Sequence, residues 1–425
     1  CQTCCQMKPH LLPVIMCVAV GVTACSTGSR HDAGNGHHMI AVVDPGHFHA
    51  ALVTKSPLAA VDDTIAVYAP SGPELEQYKA FIDTYNTRAD NPTAWVLDIT
   101  ESPDYMAAFA ADSAADIVVL AGNNRHKTDY LLAATRAGKN VLADKPMAID
   151  TVGFDKLADA YKLAADSGLV IYELMTERYD TINILTREIV NDTALFGHLV
   201  SDPDVPAVTM KSVHHFYKEV SGSPLTRPAW YYDVTQQGEG IADVTTHLLD
   251  LVMWQCFPSR PIDYATDVEI VDATHTATVI TPEQFVRSTG QNIDEPLEVY
   301  SNGTILVRIN GILMRIDVQW DFEAPAGSGD TFTATYRGTR GTVEITQDAS
   351  TSFVKQLSAT TADGERHDYD IPVAERLGHE NHFNRVTESF LRYLDGQPMP
   401  DWETANTLAK YYITTQAVAR ANAKN

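Results

Sequence analysis

The sequence predicts an α/β domain built on a parallel sheet, followed by an α+β domain with a large, mainly antiparallel sheet. Three observations carry this. From Met39 to Asn191, apolar runs of strand length alternate with stretches of helical periodicity, the pattern of a parallel sheet with helices on its faces. From His198 the texture changes to strands separated by glycine turns. The chain has 425 residues, 44% of them hydrophobic, which is enough for two cores. Its net charge of −24 argues against a nucleic-acid partner, because a phosphate backbone attracts basic surfaces.

Met7-Lys8 opens a short basic region, and Leu11 to Val22 is an apolar run too short to span a bilayer comfortably. It ends in Val22-Thr23-Ala24-Cys25-Ser26, which resembles the lipobox of bacterial lipoproteins. That resemblance implies a signal peptide over 1–24, lipidation of Cys25 and a polar tether over 25–38. It places the protein as a membrane-anchored lipoprotein, periplasmic or at the cell surface, touching the membrane through the lipid only. An ordinary secreted signal peptide, or a cytosolic protein with an unusual leader, stays open. After such a cut only Cys25 and Cys256 remain, so neither a disulfide framework nor a cysteine zinc site is available. Cys256 reads as a core residue, and no metal site is expected.

Residues 39–150 are assigned to the parallel-sheet domain. Met39–Asp44 is a continuous apolar strand, Pro45–His49 its turn, and a helix opens at Ala50. Strands follow at Thr64–Ala69, Ala94–Leu97 and Asp116–Gly122, with helices over Leu75–Thr84 and Met106–Asp112 between them. A helix over Thr128–Gly138 leads to the strand that ends in Asp144-Lys145-Pro146. Ligands of open parallel sheets bind beyond the carboxyl ends of the strands, so Lys145 is placed to meet one. A solvated loop lysine explains it equally well.

Residues 151–425 are assigned to the second domain. A helix over Thr151–Ser167, a strand at Leu169–Tyr172 and a helix over Tyr179–Asn191 come first. Antiparallel strands are expected at Ala207–Phe216, Leu297–Ile309, Met314–Trp320, Thr331–Tyr336 and Thr342–Ile345, with Gly303, Gly311 and Gly338 to Gly341 as turns. Helix returns from His382 to Ala421. Glu380 and His382 read as groups reaching a site or as a helix start with surface polars.

Gly238-Glu239-Gly240 precedes Asp243 and His247, which are four apart and share a face if helical. The glycines would let backbone approach a ligand, and Asp243 would orient His247 for proton transfer near neutral pH. A helix cap beside a buried, satisfied histidine is the plainer account. His214, Lys218, Arg227, Trp230 and Tyr231 offer rings and donors that suit a sugar, or ordinary sheet packing.

Asp144-Lys145-Pro146 after a strand–helix–strand, the Gly-rich turn and the Asp-x-x-x-His pair together resemble the Gfo/Idh/MocA family of NAD(P)-dependent oxidoreductases. Ala121 to His126 is similar to that family's Thr-Pro-Asn-x-x-His, and Arg337 to Thr342 to its Gly-Thr-x-Gly turn. The resemblance runs from Met39 onward and implies a Rossmann-type first domain. It implies Lys145, Asp243 and His247 as the catalytic set, with Gly46, His47, Phe48, Ser71, Asn123, His126, Asp144 and Lys145 toward NAD or NADP. Lys218, Trp230 and Tyr231 fall on the substrate side.

The chain departs from the family at three points. Asp144 replaces the usual glutamate, and Asp44-Pro45-Gly46-His47-Phe48-His49 keeps only the middle glycine of the phosphate-binding turn. At the position of the ribose-binding acid stands Ala69, leaving Ser71 for a ribose oxygen or a 2′-phosphate. The family implies hydride transfer between NAD(P) and a hydroxyl of a small-molecule sugar or glycoside. A redox-neutral NAD-dependent glycoside hydrolase is the second reading, and a non-catalytic sugar- or nucleotide-binding lipoprotein the third. A homo-oligomer is compatible with all three.

Overall fold

The computed structural model describes residues 37–220, 223–372 and 379–424. The expected signal peptide, the lipidated Cys25 and the tether up to residue 36 lie outside them. The last tether position is not linker. His38 opens the first strand, and its Nδ1 meets the Asp116 carboxylate at 2.6 Å.

Six strands form the first sheet: β1 (His38–Val43), β2 (Val61–Ala69), β3 (Val96–Glu101), β4 (Ile117–Leu120), β5 (Asn140–Ala143) and β6 (Ile171–Glu173). All pairs are parallel, in the order β3-β2-β1-β4-β5-β6. Parallel neighbours need crossovers, supplied by α1 (His49–Leu52), α2 (Pro73–Thr87), α3 (Tyr105–Ala111), α4 (Asn124–Arg136) and α5 (Thr151–Ser167). Side chains alternate along a strand, so Ile40 and Val42 enter one core while Ala41 and Val43 enter the other. The strand order reverses between β1 and β4, which opens a crevice at their carboxyl ends. The sheet runs past the boundary drawn at 150, because β6 is its sixth strand.

The second sheet begins with β7 (Val208–Tyr217). A separate two-stranded ribbon, β8 (Glu219–Val220) with β9 (Ser223–Pro224), follows it. Then come β10 (Val268–Ile280), β11 (Leu297–Ile309), β12 (Ile312–Glu323), β13 (Thr331–Arg337), β14 (Gly341–Gln347), β15 (Gln356–Thr361) and β16 (Arg366–Tyr369). The order is β10-β11-β12-β7-β13-β14-β15-β16, antiparallel except for the parallel β12–β7 pair. Asn310 and Gly311, both at positive φ, make the β11–β12 turn. Gly303 lies inside β11 and turns nothing.

The remaining helices are α6 (Thr181–Val190), α7 (Val234–Gln237), α8 (Gly240–Asp243), α9 (Thr245–Cys256), α10 (Pro282–Thr289), α11 (Phe383–Leu394) and α12 (Trp402–Asn422). α6 and α9 share one core with the second sheet, through Ile182, Leu249 and Val252. The last two helices return to the first sheet. Phe383, Val386 and Phe390 of α11 join the core of β1, β2 and α2, and Tyr411 of α12 joins the core on the opposite face.

A buried ionic group welds the two sheets' helices together. Arg178 bonds Asp250 at 2.7 Å and Glu403 at 2.8 Å, and the Lys410 ammonium lies 3.0 Å from Asp250 while also bonding Glu173. Such charges are tolerated in a dry interior only because each finds opposite charge and hydrogen bonds. Among the described residues, no helix is long and apolar enough to cross a membrane.

Candidate active site

Lys145 leaves the end of β5 through a cis bond to Pro146, and its ammonium bonds the Asp243 carboxylate. Asp243 closes α8, and its second oxygen accepts from Gln237 Nε2 at 3.1 Å. Burial alone would raise the Asp243 carboxyl, but the Lys145 cation, with His247 and His47 nearby, holds it below the usual carboxylate range. Asp243 and His247 do not share one continuous helix. The chain breaks at Val244, so Asp243 ends one short helix and His247 sits in the first turn of the next. The glycine-rich turn serves packing. A Cβ on Gly240 would lie 1.8 Å from the Ser301 carbonyl oxygen, so this turn presses against β11 instead of a ligand.

The loop after β1 has been rebuilt around Asp144. Asp44 takes the first glycine's place at φ 48°, a left-handed conformation that aspartate tolerates better than most residues. Its carbonyl oxygen would be 2.0 Å from a Cβ on Gly122, so glycine there lets the ends of β1 and β4 close up. His47 Nδ1 and His49 Nδ1 each contact their own oxygen of Asp144, both at 2.9 Å. The Asp144 carboxyl is buried, which would raise it, yet the two imidazoles hold it well below its ordinary value. The rebuilt turn and the Asp144 replacement therefore meet in one contact: His49, which stands at a family glycine position, and His47 beside it both reach the aspartate that replaces the family's glutamate. Their ligand-type atoms lie within 4.8 Å of one another, which a metal ion could exploit. The 2.9 Å contacts are ordinary hydrogen-bond lengths, and one imidazole per oxygen accounts for the cluster. α1 is only four residues long, so the helix expected to present its amides to an anion is a single turn.

Sequence reasoning missed the polar bridge between Lys145 and Asp243. Lys127 is 1% exposed and donates to Asn124 Oδ1 at 2.7 Å, to the Asp144 carbonyl at 3.0 Å and to the Pro146 carbonyl at 3.1 Å. Burial pushes its ammonium down to about 8. Asn124 then donates to Gln237, the residue that holds Asp243. The one sequence signal was a lysine inside the buried stripe of α4.

The other predicted residues are distributed as follows. Asn123 caps α4 and its Nδ2 donates to Gln236 at 2.8 Å; His126 is exposed on the first turn of the same helix. Phe48 packs at the start of α1, and Ser71 is exposed just past β2. Lys218 lines a cavity of about 490 Å³ together with His247 and His214. The Lys218 ammonium lies 3.4 Å from Asp330. Trp230 and Tyr231 are not among that cavity's lining. The Trp230 ring lies 3.5 Å from where a Cβ on Gly46 would be, on the side of the β1 loop. Tyr231 is buried under Arg227 and borders a cavity of about 20 Å³ beside Asp243.

Residues 40–173 match the family profile "Oxidoreductase family, NAD-binding Rossmann fold", and residues 185–371 and 358–422 match "Putative oxidoreductase C terminal domain". A crystal structure titled as a putative oxidoreductase from Parabacteroides merdae ATCC 43184 is 38% identical, with a TM-score of 0.89 over 92% of this chain and 98% of that one. The chain belongs to the Gfo/Idh/MocA oxidoreductase family. Levoglucosan dehydrogenase in complex with NADH is 16% identical, with a TM-score of 0.64 over 92% of this chain and 98% of that one. A putative myo-inositol dehydrogenase from Sinorhizobium meliloti 1021 is also 16% identical, with a TM-score of 0.56 over 91% and 98%. At that identity the likeness is one of fold. No curated protein matches the sequence.

As a Gfo/Idh/MocA oxidoreductase, the protein uses NAD or NADP. The crevice between β1 and β4 lies at the switch point of the sheet, where a dinucleotide would bind; Gly46 and Gly122 lie against each other at the ends of these strands, and Ser71 follows the end of β2.

Proposed function

We propose that the protein oxidises a hydroxyl of a sugar or glycoside, and that the hydride passes between that carbon and the nicotinamide. One observation carries this reading: Asp243 bonds the Lys145 ammonium and is held ionised by it and by His247, and His247 lines a 490 Å³ cavity shared with His214, Lys218 and Asp330. A cation beside the reacting oxygen stabilises the negative charge that develops as its proton leaves. Asp243 fixes where that cation sits, with Gln237 holding the carboxylate from the other side. His247 faces the cavity and takes the hydroxyl proton. His214 is held toward its neutral form, because burial and the nearby Lys218 and Lys145 cations outweigh the pull of Asp330; its Nε2 meets the Ser212 hydroxyl at 2.6 Å, which fixes the ring at the cavity wall. Levoglucosan dehydrogenase and the putative myo-inositol dehydrogenase share the fold and point toward the same class of polyhydroxylated substrate. Lipid anchoring through Cys25 belongs to the same proposal.

The test is a panel of sugars and aryl glycosides, assayed for keto-sugar and for released aglycone. Accumulating keto-sugar with stoichiometric reduction of NAD(P) supports the dehydrogenase. Aglycone release without net NADH moves the assignment to the redox-neutral hydrolase. Lys145→Ala is expected to abolish turnover, at least about 1,000-fold for a lost charge-stabilising donor, and unchanged turnover sinks the catalytic assignment.

A further inference from the structure

The 490 Å³ cavity is longer than one sugar ring requires, and its two ends are both polar. Its floor is a row of side chains running across the strands. Ser212 of β7 is directly paired with Phe332 of β13, and Phe332 with Gln347 of β14. Thr346 is paired with Gln356, so Lys355, just before β15, falls opposite Gln347. Directly paired residues share a face, so all four look into the cavity, as its lining confirms. Three strand spacings separate β7 from β15, about 14 Å in all. A single pyranose is only about as wide as one such spacing. The volume also falls in the range of about 300–1,000 Å³ that encloses ligands larger than one small ring.

The chemistry changes along this row. At the β7 end stand His214, Lys218 and Asp330, next to His247. In the middle the cavity is apolar, with Phe332 on the floor facing Leu248 and Leu251 of α9. At the β15 end Lys355 bonds Asp180 at 2.9 Å and lies 3.4 Å from Glu177. His382 borders the same end; it is 3% exposed, and neither ring nitrogen has a hydrogen-bond partner among the described residues. A buried imidazole left without partners costs stability unless something else fills that role.

We infer that the cavity holds a two-unit glycoside: the ring to be oxidised lies at the His247 end, and a second hydroxylated unit lies on Lys355 and His382, with Phe332 stacked between. This rests on the oxidoreductase reading above and narrows its substrate to disaccharide-type glycosides. The second unit's hydroxyls supply the partners that His382 lacks. Phe332 offers a flat apolar face to the C–H side of a sugar ring.

The experiment uses free hexoses, their methyl glycosides and the matching disaccharides. Binding to the NAD(P)-loaded protein is measured by calorimetry, and turnover separately. Expected is a preference of about tenfold or more for a disaccharide over the methyl glycoside of the same ring, in Kd and in kcat/KM. In His382→Ala, which removes no hydrogen bond found among the described residues, that ratio falls to within about twofold. Lys355→Met gives the same collapse in a second variant. Equal affinity for one-unit and two-unit ligands overturns the inference, as does a ratio untouched by both variants. A binding preference with no oxidation of any sugar leaves this substrate class standing and rejects the oxidoreductase reading instead.

Discussion

Asp144→Ala tests whether the His47–Asp144–His49 contact holds the cofactor loop. Asp144 is 2% exposed, and its two oxygens each contact one imidazole at 2.9 Å. Deleting the carboxylate removes an acceptor from the buried His49 and the half-buried His47, at about 1–3 kcal/mol for the first and less for the second, so the loss of stability is about 1–4 kcal/mol. Asp144→Asn keeps one acceptor oxygen, and the partner of its amide can switch tautomer, so about 1–2 kcal/mol is expected. Asp144→Glu restores the family's residue but adds a methylene to a filled site, which costs about 1–3 kcal/mol. The loop that carries His47 also carries Gly46, so NAD(P) affinity falls with stability, by more than about tenfold in the alanine variant. Urea unfolding gives the first quantity and nicotinamide fluorescence titration the second. The folded-state pKa of Asp144 is depressed, so its contribution is present above the unfolded value near 3.9 and is lost as pH falls through the folded one. Wild type and Asp144→Asn therefore differ at neutral pH and converge in acid. An alanine variant within about 0.5 kcal/mol of wild type, with unchanged affinity, would refute the reasoning.

Three further outcomes follow from buried groups. Lys127 titrates at about 8 in the fold, below its unfolded value of 10.5, so the unfolded chain holds a proton that the native state has released between those pH values. Stability gains on the order of 3 kcal/mol from that group as pH rises across the window, and urea midpoints in Lys127→Met should lack the slope. Lys410→Met leaves Glu173 without its cation and Asp250 with Arg178 alone, and is expected to cost about 3–5 kcal/mol in the same unfolding assay. Gly240→Ala drives a methyl into the Ser301 carbonyl oxygen; turnover should drop with the displacement of Asp243, and a crystal structure should show α8 pushed off β11.

The strands of the first sheet were legible because β1, β2, β4 and β5 carry short apolar runs between clear helical periods, and core strands of that kind carry their own signal. β10 and β16 went unseen because they are the edges of the second sheet, half polar along their length, and β15 lies next to one of them. Lys145 and Asp243 were each visible as motifs, and the fold brings them into contact. What linked them was not visible. Lys127, Asn124 and Gln237 are common polar residues whose burial depends on α4 and α7 packing together, and no local pattern encodes that. The altered first loop read as a departure that kept only the middle glycine. Its reason lay roughly a hundred residues away, in the acid that the two histidines share.

The return of α11 to the first sheet has a consequence for the chain as it emerges from the ribosome. The part of the first sheet's core that Phe383, Val386 and Phe390 complete, beside Tyr172 of β6, cannot be closed until almost the whole chain has been made. His49 waits for its ring contact with Phe383 across more than three hundred positions. The nucleotide-binding half is therefore no autonomous first-folding module, although it comes first in sequence. Nascent chain stalled before residue 383 would expose one flank of an otherwise finished sheet. Such a surface recruits holdase chaperones during synthesis, and it sets a long-range closure as the late step of folding.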